Sequence, residues 1–296
     1  MRRTHLSRKI FVLCNTIFLI LVALLCFLPL VNLFAISLSG KSAANSGLVT
    51  FWPVDFTTLA YIKTFHNSNF IRSLVISFLR TGAGTLFGMF VITTAGYALS
   101  KEFRGRTALM WFFVFTMLFG GGLIPSYLVN TSLGLKNNFL VYILPGAFSC
   151  YNLILIMNFF KSIPRALEEA ALIDGASFFK VLWKIYLPLS KAGLATVALF
   201  IMVGNWNEWF TGILYMSDTK NYPLASFLQV IVVQGNQQDL ALDPTSADIF
   251  STAPCAMSER TIKAAQVFIG ALPILLVYPF LQKYFVTGIV MGAVKE

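Results

Sequence analysis

Long apolar runs separated by short polar links set the pattern of this chain. The runs cover about residues 10–38, 71–100, 107–129, 139–160, 189–216 and 264–285. A hydrocarbon core about 30 Å thick takes roughly 20 apolar residues of helix, and backbone polar groups at that depth must be satisfied within the segment. The pattern therefore predicts an all-α polytopic membrane protein with six transmembrane helices.

Irregular positions sit inside several runs. Arg80 in the second either snorkels, faces the bundle interior or marks a later start of the span. Gly120, Gly121, Gly122 and Pro125 predict irregularity in the outer part of the third, and Pro145 lies in the fourth. The first run is too long for the apolar part of a signal peptide, so it reads as a retained span. Between it and the second, Gly40, Gly47 and Pro53 break a polar outer loop.

Composition agrees: 57% of the 296 residues are hydrophobic and 11% are charged. A net charge of +10 raises nucleic acid as a partner, so the placement of the charges decides. Arg2, Arg3, Arg8 and Lys9 precede the first span, Lys101, Arg104 and Arg106 fill a short link, and Lys161, Arg165, Lys180, Lys184 and Lys191 surround a polar insert. These groups fall on one side of six alternating spans, which is the positive-inside pattern. The basicity thus reads as topology, with both termini cytoplasmic and no nucleic acid partner. Residues 1–9 form a cytoplasmic N-terminus, 10–70 the first helix and outer loop, 71–290 the core with an inner loop at 161–188 and an outer loop at 217–263, and 291–296 a cytoplasmic tail.

Cys14, Cys26, Cys150 and Cys255 lack CxxC spacing and read as buried thiols. With His5 and His66 the only histidines, a metal cluster or a His-dependent triad has little material. GxxxxGK[ST] is absent, so the usual phosphate-cradling loop is not in this sequence.

The polar insert at 164–188, PRALEEAALIDGASFFKVLWKIYLP, carries its own helix signals. Ser162 and Pro164 mark a start, and Glu168 and Glu169 sit early, where the helix dipole favours negative charge. Leu167, Ala170 and Ala171 make a narrow small-residue face. Gly175 is placed to end the helix in a left-handed conformation, and Ser177 to cap a second one. In that second helix Phe178, Phe179, Leu182, Ile185 and Tyr186 are apolar, with Lys180 and Lys184 on a wetter side. A helix, a sharp turn and a returning helix make a projection that a partner could grip; an amphipathic link lying on the membrane is the plainer reading.

Glu169-Ala170-Ala171, Asp174-Gly175-Ala176 and Ile185-x-Leu187-Pro188 resemble, in order and spacing, the EAA loop of binding-protein-dependent ABC importer permeases. AGYALSKEFRGR (95–106), GGLIPSYLVNTSLGLKNN (121–138), GNWNEWF (204–210) and LPILLVYPFLQKYFVTGIVMGAVK (272–295) are similar to the carbohydrate branch, that of oligosaccharides, polysaccharide fragments and aldouronates. Ala192 and Gly193 after Lys191 depart from a proline common there, and 234–258 departs as well.

The resemblance implies a type I ABC importer permease fold with a cytoplasmic coupling helix, in a bacterial cell membrane. It implies a noncatalytic subunit that works with a second homologous permease, two cytosolic ABC ATPases, an extracytoplasmic solute-binding protein and a carbohydrate substrate. This chain would hold no cofactor; ATP and Mg would sit on the ATPases. Glu168, Glu169, Ala170, Ala171, Asp174, Gly175, Ala176, Phe178 and Phe179 would meet the ATPase. The C-terminal tail, with Gly288 and Gly292, is similar to tails that reach toward that interface.

Asn205, Trp206, Asn207, Glu208 and Trp209 lie about 20 residues past Pro188, roughly 30 Å along a helix. Indole faces can cover apolar sugar faces while amides and carboxylates bind hydroxyls; an interfacial aromatic belt is the other reading. An ion-coupled secondary transporter is the main rival, with Arg80 or Glu208 as coupling charge. It is disfavoured by the lack of an internal repeat and of paired midplane charges. A membrane enzyme would need converging acids, a histidine cluster or a Ser/Lys pair at one depth, and the candidates are scattered.

Overall fold

The computed structural model of the chain describes residues 6–233 and 258–293, with side chains described for 8–233, 258–277 and 279. All regular structure among the described residues is helical. In chain order the helices are α1 (Leu6–Ser37), α2 (Lys41–Asn45), α3 (Leu59–His66), α4 (Ser68–Ser100), α5 (Arg106–Leu118), α6 (Leu123–Ser132), α7 (Cys150–Lys161), α8 (Arg165–Ile173), α9 (Phe178–Val181), α10 (Leu187–Leu189), α11 (Lys191–Asn207), α12 (Phe210–Tyr215), α13 (Leu224–Val233) and α14 (Glu259–Ala293). Arg2, Arg3, Cys255, most of the departing stretch 234–258 and residues 294–296 lie outside the described residues.

Among the described residues, three helices, α1, α4 and α14, are long and apolar enough to cross a bilayer unbroken. The other runs are broken more sharply than their sequence suggests. In the third, α5 ends at Leu118, Gly122 takes φ +85°, and α6 leaves at 112°. Glycine costs least in that backbone region, and the glycine run gives the chain its corner. In the fourth, the expected helix from Phe139 does not form: a 3-10 turn at Phe139–Tyr142 leads through Pro145 and Gly146 to α7, which starts only at Cys150. Pro145 lacks an N–H, Asn138 and Ser149 accept backbone N–H groups of Leu140 and Asn152 at 3.0 and 3.4 Å, and buried Val141, Tyr142 and Ala147 shield the irregular stretch. In the fifth, α11 stops at Asn207 because Glu208 is extended (ψ 118°), and α12 restarts after it. The sixth helix continues past 285 to Ala293, through Gly288 and Gly292.

The chain divides into two compact units. In the first, Met1–Ile71 with Val230–Leu272, Ala35, Ile36, Ala43, Ala44, Val49 and Ala264 form a small core, and the loop after α1 folds over it with α2 and α3. Asn32 holds that loop through Nδ2 donors to the Val49 and Thr50 carbonyls at 3.2 and 2.7 Å. None of the apolar window of α1 is buried, and Cys14 and Cys26 on it are exposed, against the expectation of buried thiols; Cys150 is half-buried.

In the second unit, Arg72–Gln229 with Pro273–Glu296, the larger core gathers Ile92, Tyr97, Ile156, Phe160, Ile163, Val181, Leu182, Tyr186, Val197 and Ile201. It joins α4, α7 and α11 to the polar insert. Gly96 permits the contact of α4 with α7: an added Cβ would stand 2.9 Å from Ile156 Cγ2.

Candidate functional site

The insert folds as the helix pair its residues specify. α8 ends in two nested backbone bonds, Ala176 N to Ala171 O at 2.9 Å and Gly175 N to Leu172 O at 3.0 Å, with Gly175 at φ +76°. This is a Schellman turn, which reverses the chain while satisfying the last carbonyls of the helix. Ser177 then accepts the Lys180 N–H at 3.3 Å and caps α9. The helical path from Phe178 to Leu189 passes through a π turn at Leu182–Tyr186, just before Pro188, whose missing N–H could not continue an α register. It meets α11 at 87°.

One side of the pair is locked into the protein. Glu168 is 8% exposed and pairs with Lys101 at the end of α4. Tyr186 donates to the same carboxylate at 2.7 Å and Tyr97 donates at 3.4 Å, while Lys101 also donates to the Tyr186 hydroxyl at 2.7 Å. The Lys101 ammonium stands 4.3 and 4.1 Å from the Tyr97 and Tyr186 ring centroids, within cation–π range. Burial pushes the Glu168 carboxyl up, but the hydrogen bonds from Lys101 and Tyr186 and the Lys101 charge outweigh it and hold the group below the ordinary carboxylate value. A second, exposed pair, Arg165 with Glu102, ties the start of α8 to the α4–α5 link.

The other side is open and apolar. Ile173 is 87% exposed, and Leu167, Phe178, Phe179 and Trp183 are exposed with it. Glu169, Ala170, Asp174 and Gly175 share this exposure, and Ala171 and Ala176 are half-buried against the core. Of the residues expected to face a partner, Glu168 is the one buried: the two adjacent carboxylates are about 100° apart around the helix, and Lys101 captures the first. Sequence reasoning also missed Lys101, Ile173 and Trp183. A lysine in the short link was the available hint for the first; exposed apolar positions in an amphipathic helix were the hint for the others.

The 205–209 segment divides likewise. Trp206 is buried, its ring 5.1 Å from that of Phe78, and Asn205 is half-buried beside Gly84, where an added Cβ would stand 2.7 Å from the Asn205 amide nitrogen. Asn207 and Trp209 are exposed. Glu208 pairs with Arg80, which is 3% exposed and faces the interior. One Arg80 Nη donates to the Glu208 carbonyl at 2.7 Å, the other to its carboxylate, and the remaining carboxylate oxygen accepts the Thr211 N–H at 2.8 Å. The guanidinium lies 5.0 Å from the Tyr142 ring centroid. Two charges 128 residues apart in sequence thus meet at the break between α11 and α12.

Known proteins share this architecture. The family model described as "Binding-protein-dependent transport system inner membrane component" matches residues 84–291. The polygalacturonan/rhamnogalacturonan transport system permease protein YtcP of Bacillus subtilis (strain 168) is 40% identical over 94% of this chain and 96% of its own length. Protein LplC of the same organism is 40% identical over 97% and 95%. A solved bacterial ABC transporter involved in the import of the acidic polysaccharide alginate superposes with a TM-score of 0.85 and 32% identity, over 96% of this chain and 100% of that one. A chain from a bacterial alginate ABC transporter in complex with a periplasmic protein carrying an alginate pentasaccharide shares the fold, with a TM-score of 0.58 at 17% identity.

Proposed function

The chain belongs to the binding-protein-dependent transport system inner membrane components, and from that membership we propose that it is a permease subunit of an ATP-driven importer for fragments of an acidic polysaccharide. Its fold is that of an ABC importer permease, six membrane-spanning segments with the helical loop of Arg165–Ile173 and Phe178–Val181 between the fourth and fifth. The substrate class rests on the relatives that handle polygalacturonan and alginate.

In this reading the loop is cytoplasmic, as are both termini, and it seats in one of two ATPase subunits that bind ATP and Mg. A second permease completes the pathway, and an external binding protein delivers the sugar. The observation that carries the coupling role is the two-sidedness of the loop, whose inner side is bonded to the core of the unit while Ile173, Phe178 and Phe179 stay exposed. Fully burying side chains of this size is worth about 1.5–3 kcal/mol each, part of it offset by the cost of association. Movement of a seated ATPase would reach α4, α7 and α11 through Lys101, Glu168 and Tyr186. Within 205–209, Asn207 and Trp209 present surface to a substrate, whereas Trp206 and Glu208 hold the break in place.

Copurification tests the docking face. Glu169→Lys and Ile173→Asp should leave the permease in the membrane yet reduce the ATPase recovered with it at least about tenfold, whereas unchanged recovery with both variants would place the contact elsewhere.

A further inference from the structure

A cleft of about 630 Å3 opens between the end of α1, the short α2 and the first turns of α14, all within the first unit. Its floor is apolar, with Leu33 and Ile36 from α1 and Val267 from α14. Its rim carries Lys41, Arg260 and Lys263 against one carboxylate, Glu259. Lys263 is bonded to Glu259, and Arg260 uses one Nη donor on the Ala44 carbonyl at 2.9 Å. A guanidinium has five N–H donors, so Arg260 retains several, and Lys41 is exposed. The rim therefore has an excess of two positive charges above a hydrocarbon floor.

The depth of the cleft limits what can fill it. It lies at the C-terminal end of a 30-residue apolar helix, none of whose window is buried within the chain. At 1.5 Å per residue such a helix is about 45 Å long, enough to span the hydrocarbon core and the headgroup regions, so its end stands at headgroup level. A basic rim over an apolar floor at this level matches an amphiphile with an anionic head. A soluble sugar acid would satisfy the rim and leave the floor and the exposed surface of α1 without a counterpart.

We propose that this cleft binds the phosphodiester headgroup of an anionic phospholipid, with the acyl chains lying along the exposed apolar surface of α1. The leaflet follows from the orientation proposed above; the chemistry does not depend on it.

Native mass spectrometry of the full chain, purified with its partners, tests the proposal. After delipidation, phosphatidylglycerol or phosphatidylcholine of the same chain length is added. Phosphatidylglycerol should be retained preferentially, and Lys41→Gln combined with Lys263→Gln should reduce that retention about tenfold or more, with phosphatidylcholine unchanged. Lys41→Gln alone, at an exposed position, keeps the small core intact and should give part of the loss. Equal retention of the two lipids, or full retention by both variants, would overturn the proposal. So would displacement of the lipid by glycerol 3-phosphate, which would indicate a plain anion site, or by an oligogalacturonate, which would indicate a sugar site.

Discussion

Gly175 shows how far single residues can be read from sequence. The left-handed turn it makes, and the Ser177 cap after it, were both legible because glycine and serine have specific uses at helix ends. Nothing stands within 4 Å of a Cβ added at Gly175, so a substitution there is penalised by its backbone alone. A non-glycine residue in this region costs about 1–2 kcal/mol, β-branched residues suffer most, and asparagine tolerates it. Gly175→Val should therefore insert normally but hydrolyse ATP without matching uptake in proteoliposomes holding the assembled transporter, and Gly175→Asn should stay near the parent. Normal coupling in the valine variant would count against the turn as a transmitting element. The fate of Glu168 was less legible, since its neighbour Glu169 is chemically equivalent and only the fold brings Lys101 to one of them.

At the scale of elements, the sequence marked where helices break and understated how much. The glycines at 120–122 flagged irregular backbone but not its 112° angle, and the loss of the first helical turns of the fourth run goes with the burial of Val141, Tyr142 and Ala147, which no local pattern encodes. The insert behaves differently, because both its helices are fixed by local caps and then fastened at Glu168. A carboxyl held below its ordinary value contributes stability that is fully present above the unfolded value near about 4.3 and is lost as pH falls through the lower folded value. Hydrogen exchange in Arg165–Ile173, corrected for intrinsic rates, should accordingly be flat between about pH 5 and 8 in the parent. Glu168→Gln should raise it several-fold across that range, by removing the charge that pairs with Lys101. Exchange unchanged in that variant would mean the apolar contacts of Leu182 and Tyr186 hold the loop alone.

For the molecule as a whole, the pairing of Arg80 with Glu208 bears on how transport is driven. An ion pair inside a membrane protein is a usual place for a coupling ion, and the sequence did not reveal this one because Arg80 on α4 and Glu208 at the break between α11 and α12 lie 128 residues apart. Its geometry nevertheless fits a stitch better than a carrier. Both Arg80 Nη groups are bonded to Glu208, and Glu208 in turn caps α12 through Thr211, so releasing the carboxylate would undo the junction of α11 and α12. Removing one member of such a pair costs about 2–4 kcal/mol here, below the range for fully buried pairs because the Glu208 side chain is 34% exposed. Arg80→Gln should thus lower thermal stability and assembly without creating or abolishing dependence on an ion gradient. The matching measurement uses vesicles with an imposed proton or sodium gradient: this chain alone should give no sugar uptake, and the assembled transporter should require ATP on the ATPase side with the gradient collapsed. Gradient-driven uptake by the chain alone, lost in Arg80→Gln, would overturn the importer reading and make the pair the coupling site.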